Sequence, residues 1–159
     1  LDRPGGGERL ATLRDRMTQA MQDGVGIYRS SEGMTATCET LEALARSLDD
    51  IRLDDRGRAF NTEWLSAIEF GFTLDVARCI AHAALNRRES RGSHQRLDEH
   101  NARDDENYLC HSLATLEPDA APRIEYAGVN VTRLPPGERR YGGHKERSVD
   151  DRAGREKTT

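Results

Sequence analysis

The 159-residue sequence contains no run approaching the roughly 18 apolar residues that a membrane-spanning helix requires, and no charged, apolar and small-residue pattern opens it as a secretion signal would. A soluble chain is expected. Cysteine is scarce: Cys38, Cys79 and Cys110 are odd in number and far apart, which argues against a disulfide framework or a Cys-x-x-Cys metal or redox pair and fits a reducing compartment. Charge of one sign is not in large excess either. Lys and Arg total 24 against 28 Asp and Glu, and the signs are interleaved, so no chain-wide field attracts nucleic acid or an anionic membrane. An initiator methionine is also missing. Leu1 is followed by Pro4, Gly5, Gly6 and Gly7, and residues 1–7 are expected to be a linker from preceding domains.

What is present is enough apolar material, 35% of residues against 33% charged, for one modest core. Over 8–23, Leu10, Leu13, Met17 and Met21 recur at three- and four-residue steps, which predicts a helix ending at Gly24. A short apolar segment, 25–29, leads to Ser30 or Ser31 as the cap of a second helix carrying Met34, Cys38, Leu41, Ala45 and Leu48. Residues 49–58 read as a charged turn. Asn61 or Thr62 then caps a third, longer helix whose stripe of Trp64, Leu65, Ile68, Phe72, Val76, Cys79, Ile80 and Ala83 is expected to face the core, with Gly92 as its stop. Beyond Asp104, the segments 108–116 and 123–134 flank turn-forming residues around Pro118 and Pro122 and predict a β-hairpin. The expected architecture is mainly α: an antiparallel three-helix bundle over 8–92, a charged loop and small β-hairpin packed on it over 93–143, and a disordered, flexible tail over 144–159.

No arrangement of residues amounts to a complete catalytic site. Cys110, His111 and Ser112 are adjacent, but neighbouring side chains in a strand point to opposite faces, so a nucleophile and its base would be separated. Gly24-Val25-Gly26 follows a helix instead of opening one, which removes the context in which glycine-rich loops bind phosphate. His94, Asp98, His100 and Asp104 match no strong metal-ligand spacing, and Cys38 and Cys79 read as small buried hydrophobes. The basic run Arg87, Arg88, Arg91, His94, Arg96 could hold phosphates. Pairing with Glu89, Asp98, Glu99, Asp104 and Asp105 is favoured, because acidic neighbours surround it and no aromatic residues are interleaved for base stacking.

Several motifs together resemble a known family. They are Gly24-Val-Gly-Ile-Tyr-Arg29, Phe60-Asn-Thr-Glu63, Arg88-Glu-Ser-Arg-Gly-Ser-His94, Arg96-Leu-Asp98, Arg103-Asp-Asp105, Pro122-Arg-Ile-Glu-Tyr126, Pro135-Pro136 and Glu138-Arg-Arg-Tyr-Gly-Gly143. The combination resembles the C-terminal domain of the flavoprotein subunit of fumarate reductase and succinate dehydrogenase, a family that includes L-aspartate oxidase. The insert Leu97-Asp-Glu-His-Asn-Ala102 and the closing Tyr141-Gly-Gly143 look most like bacterial quinol:fumarate reductases, while Ser93 and Cys110 stand where the family usually has alanine and lysine.

The resemblance implies a parent enzyme that transfers hydride between FAD and a dicarboxylate and passes electrons to an iron-sulfur subunit. It implies a cytoplasmic location, peripheral on the inner face of the bacterial membrane through anchor subunits. The flavin and substrate residues would lie in preceding FAD-binding and capping domains, so no catalytic, cofactor-binding or metal residue is assigned to this chain. An interdomain contact onto those domains is expected from Arg88, Glu89, Arg91, His94, Arg96, Asp98, Arg103 and Asp104, with no nucleic-acid partner. The alternatives are the same domain from a succinate dehydrogenase or L-aspartate oxidase, or a free-standing helical module that binds protein or RNA.

Overall fold

The computed structural model describes residues 6–134 and 137. The expected linker up to Gly5, the Pro135-Pro136 pair, the 138–143 motif and the expected tail over 144–159 lie outside the described residues. The chain is mainly helical with a small antiparallel strand pair.

The first helix, α1 (Leu10–Val25), buries Leu10, Leu13 and Met17, as their helical spacing predicts. It does not end at Gly24. The helix continues to Val25, and Gly24 is an interior contact: a Cβ there would stand 2.1 Å from Thr37 Oγ1 and 2.4 Å from the Gly33 carbonyl oxygen. The second helix, α2 (Ser31–Ser47), starts under the Ser30 side chain, which accepts the Gly33 amide. Thr37 Oγ1 donates across to the Ala20 carbonyl at 3.0 Å. With Ala20 beside Thr37 and Gly24 beside Gly33, α1 and α2 run antiparallel at close range.

The third helix, α3 (Thr62–Asn86), is the longest. Asn61 caps it by accepting the Trp64 amide at 2.7 Å, and its amide group donates to the Asp55 and Gly57 carbonyls, tying the preceding turn to the helix. The stripe expected in the core points the other way. Phe70, Leu74, Ala77, Ala81 and Ala84 are buried, whereas Trp64, Leu65, Ile68, Phe72, Val76 and Ile80 are exposed in this chain. Both faces of α3 are apolar, so periodicity alone does not select one. Packing selects the face on which alanines let α3 approach closely.

Arg78 anchors the outer layer. Its guanidinium is buried between Glu42 of α2, at 2.8 Å, and the Ala120 carbonyl, at 2.7 Å, which fixes the 116–122 turn against the helices. The turn joins two antiparallel strands, Cys110–Thr115 and Arg123–Gly128, both shorter than the expected segments. Among the described residues, a 3-10 turn over Leu48–Asp50 and the following elements were not predicted. Tyr28–Arg29 pairs in parallel with Gln95–Arg96, and a single turn of helix spans Asp105–Tyr108.

Candidate functional site

The loop after α3 carries the basic run, and its shape begins with Arg87. The Arg87 amide closes the helix on Ala83 and Ala84, and its side chain turns toward the strand pair. The guanidinium donates to Glu89 Oε1, the Cys110 and Tyr108 carbonyls and Ser112 Oγ, and lies 5.7 Å from the centre of the Tyr108 ring. Tyr108 packs edge-on against Tyr126, whose hydroxyl donates to the Asn86 carbonyl at 3.0 Å. One arginine thus joins helix, loop and strands.

Glu89 is the buried centre of the loop, with its side chain fully inaccessible. Arg91 meets it with two nitrogens at 2.7 and 2.9 Å, Arg87 adds a third donor and the Asp104 amide a fourth at 2.9 Å. Burial pushes the Glu89 carboxyl up, but Arg91, the Asp104 amide and Arg87 outweigh it and hold the group below its ordinary range. Arg91 continues to Asp105, which Arg103 also grips, and Asp104 caps the Asp105–Tyr108 turn by accepting the Asn107 amide. Gly92, at φ +60°, makes the tight turn in which Arg91 and His94 exchange backbone hydrogen bonds. It does not stop α3, which ends at Asn86.

A second centre lies beside the parallel pair. Arg96 is buried and donates from Nε and Nη2 to Asp98, from Nη1 to the Arg87 carbonyl and from Nη2 to Ser31 Oγ. Asp98 also accepts the Ser31 amide at 2.7 Å, so the loop is pinned to the first turn of α2. Arg96, then Ser31 and the His100 amide, hold the Asp98 carboxyl far below the usual carboxylate range. His94 sits between Arg29, whose Nη1 is 2.7 Å from Nδ1, and the Arg87 carbonyl, 3.1 Å from Nε2. Burial lowers its pKa, although the Arg87 carbonyl favours the charged ring, and Arg29 and Arg96 add to the lowering.

Of the residues expected to form an interdomain contact, Glu89, Arg91, Asp104 and Arg103 converge on one ion network, Arg96 and Asp98 on another, and His94 on the adjoining strand. Arg88 stands apart and is exposed. Sequence reasoning anticipated the pairing of Arg87 with Glu89 but missed the parts played by Arg29, Ser31 and Ser90, whose hydroxyl accepts the Arg96 amide at 2.8 Å and donates to the His100 carbonyl. Their only signal was hydrogen-bonding capacity near charged partners, since three of the contacts join residues more than sixty positions apart.

Chemically, the network holds a loop in shape and presents no activated group. The carboxylates are saturated with donors, and burial pushes the Cys38 thiol up to about 11, away from the thiolate a nucleophile needs. Gly24 is packed against Gly33 and Thr37, leaving no space at that glycine for a pyrophosphate.

The family model for the fumarate reductase flavoprotein C-terminus matches residues 14–141. The chain is 48% identical to the fumarate reductase flavoprotein subunit of a Serratia species, over 89% of this chain and 24% of that protein. It is 47% identical to the corresponding Proteus vulgaris subunit, over 96% of this chain and 25% of that one. Among solved structures, Escherichia coli quinol fumarate reductase superposes with a TM-score of 0.83 at 46% identity, covering 91% of this chain and 25% of its own. The chain therefore spans about a quarter of the length of these relatives. Across that quarter it belongs to the fumarate reductase flavoprotein C-terminal family.

Proposed function

We propose that this chain is the C-terminal helical domain of the flavoprotein subunit of a fumarate reductase, in which FAD exchanges hydride with fumarate or succinate and electrons come from an iron-sulfur subunit. The observation that carries the reading is the near-half identity to fumarate reductase flavoprotein subunits over almost the whole chain. The complex sits on the cytoplasmic face of the bacterial membrane through anchor subunits, and none of the described helices is long and apolar enough to cross the bilayer. Within the subunit, 8–92 act as an antiparallel three-helix bundle and 93–143 as a loop and hairpin laid on it. The catalytic and flavin-binding groups belong to the FAD-binding and capping domains.

The chain's role is structural. Glu89 and Arg96, buried within the chain, keep the loop rigid through charge-assisted hydrogen bonds with Arg91, Asp98 and the Asp104 amide, and Arg88, Arg91, His94, Asp98, Arg103 and Asp104 form the rim presented to the neighbouring domains. The test is made on the full-length subunit with its iron-sulfur partner. Bound FAD and fumarate-dependent oxidation of a reduced viologen dye are expected. A flavin-free protein, or one that leaves the dye reduced, would overturn the reading, and preferential succinate oxidation would reassign it to a dehydrogenase.

A further inference from the structure

The parallel pair of Tyr28–Arg29 with Gln95–Arg96 is two residues long on each side and lies where the loop after α3 meets the start of α2. Its backbone bonds run from the Gln95 amide to the Ile27 carbonyl at 3.2 Å and from the Leu97 amide to the Arg29 carbonyl at 2.8 Å. Ile27, Tyr28 and Leu97 are 61% to 70% exposed, so apolar burial adds little to holding it. A ribbon this short is marginal without side-chain support. That support comes from Arg29 and His94.

Arg29 donates from Nε to the Gly26 carbonyl at 2.6 Å and from Nη1 to His94 Nδ1 at 2.7 Å, and among the described residues no carboxylate meets it. A guanidinium has donors only, so Nδ1 must offer its lone pair and the ring proton must sit on Nε2, 3.1 Å from the Arg87 carbonyl. The contact therefore exists for one protonation state of the imidazole. Three cations face the ring: Arg29 from the segment before α2, Arg87 from the end of α3 and Arg96 from the strand that follows His94. The nearby carboxylates are engaged elsewhere, Asp98 by Arg96 and Ser31 and Glu89 by Arg87 and Arg91. His82 and His100 differ, since they lie beside Glu42 and Glu99 and gain a partner on protonation, and His111 is exposed.

We propose that Arg29 and His94 form an acid-sensitive clasp on the loop: a proton taken from solvent by Nδ1 displaces the Arg29 guanidinium, the parallel pair parts, and the subunit reversibly loses turnover while its helices stay folded. The loss of turnover rests on the reading of the chain as a flavoprotein domain whose loop is the rim presented to the flavin-binding part. Ser30, which caps α2, follows Arg29 directly, so release reaches the first turn of that helix. Glu89 and Asp98 stay ionised in the same range, because arginines and amides hold both below their ordinary values, and their networks confine the opening to the pair. Burial, with Arg29, Arg96 and Arg87 against the pull of the Arg87 carbonyl, places the titration below the ordinary histidine value of about 6.5.

Amide exchange on the full-length, flavin-loaded subunit tests this. After correction for intrinsic rates, the Gln95 and Leu97 amides are expected to lose up to about tenfold in protection between about pH 7.5 and about pH 5.5, while the Met17 and Leu41 amides in α1 and α2 keep theirs. Over the same range, with the iron-sulfur partner present, fumarate-dependent dye oxidation should fall about threefold further than in His94→Asn and return on neutralisation. Asn offers Arg29 an acceptor where Nδ1 stands and does not titrate, so His94→Asn should hold the Leu97 protection level. Arg29→Gln, whose amide can meet either form of the ring, should flatten both readouts as well. Unchanged protection at Leu97, equal losses in the wild type and both variants, or loss at Leu97 and Leu41 together overturns the proposal, and so does turnover that stays lost at neutral pH. If His94→Asn fails to fold, the wild-type and Arg29→Gln proteins still decide the outcome. A pair that opens in acid in a subunit with no fumarate turnover at any pH would sink the functional reading alone.

Discussion

The same substitution is expected to act with opposite sign at two helical glycines. A methyl group at Gly24 would fall 2.1 Å from Thr37 Oγ1 and 2.4 Å from the Gly33 carbonyl, and a carbonyl inside α2 does not move without its helix. Gly24→Ala gains about 1 kcal/mol of helix propensity, but it must separate α1 from α2 and break the Thr37 to Ala20 hydrogen bond. Overpacking of this kind costs about 1–3 kcal/mol and the lost bond about 1 kcal/mol more, so a net loss of roughly 1–3 kcal/mol is expected in the urea midpoint. At Gly71 nothing lies within 4 Å of the would-be Cβ. Gly71→Ala should therefore raise the midpoint, by up to about 1 kcal/mol. A stabilised Gly24→Ala would show that the helices have room the contact distances deny.

At the level of whole elements, the caps, the inner stripes of α1 and α2 and the antiparallel strand pair were legible in the sequence, whereas the packed face of α3 and the parallel pairing were not. Ser30 and Asn61 act as the caps that a short polar side chain before an apolar-periodic segment predicts. Leu10, Leu13 and Met17 occupy one buried face because α1 has only one apolar stripe to bury. For α3 the same method chose the wrong face, because the larger residues lie outside and alanines line the inside. Hydrophobic size favoured the former, while close helix packing selects the latter. The parallel pairing of Tyr28–Arg29 with Gln95–Arg96 left no trace in sequence, since two residues have no periodicity and their partners are 67 positions apart. Asn61 is the element-scale test of the start of α3. Asn61→Ala removes the cap on Trp64 and both donors to the 55–57 turn, at an expected cost of about 2 kcal/mol in thermal or urea unfolding. Asn61→Asp keeps the acceptor and loses the donors, so it should fall between. Equal stability of all three proteins would mean that the turn is not held by this side chain.

For the molecule as a whole, the loop that ties α2, α3 and the strand pair together makes stability depend on pH in two separate windows. His94 has a lowered pKa in the folded chain, chiefly from burial, so the unfolded chain binds more protons below about pH 6.5. Stability must fall as pH drops through that region, because a protonated Nδ1 would face the Arg29 guanidinium at 2.7 Å. Glu89 and Asp98 are also held below their ordinary values, by the arginines and amides around them. Their contribution is complete above the unfolded carboxylate pKa of about 4 and is lost as pH falls below it. Urea midpoints measured from pH 7.5 to 3 should therefore decline in two limbs, one near neutrality and one in acid. His94→Gln should flatten the first limb and leave the second. Glu89→Gln should weaken the fold by on the order of 3 kcal/mol at neutral pH, because it leaves Arg87 and Arg91 around an uncharged buried group, and it should shrink the acid limb. Hydrogen exchange locates the effect: the Leu97 amide, bonded to the Arg29 carbonyl at 2.8 Å, should lose protection with the first limb if His94 holds the parallel pair in place. Uniform loss of protection across α1, α2 and the loop at one pH would instead mean that the charged network and the helical core open as a single unit.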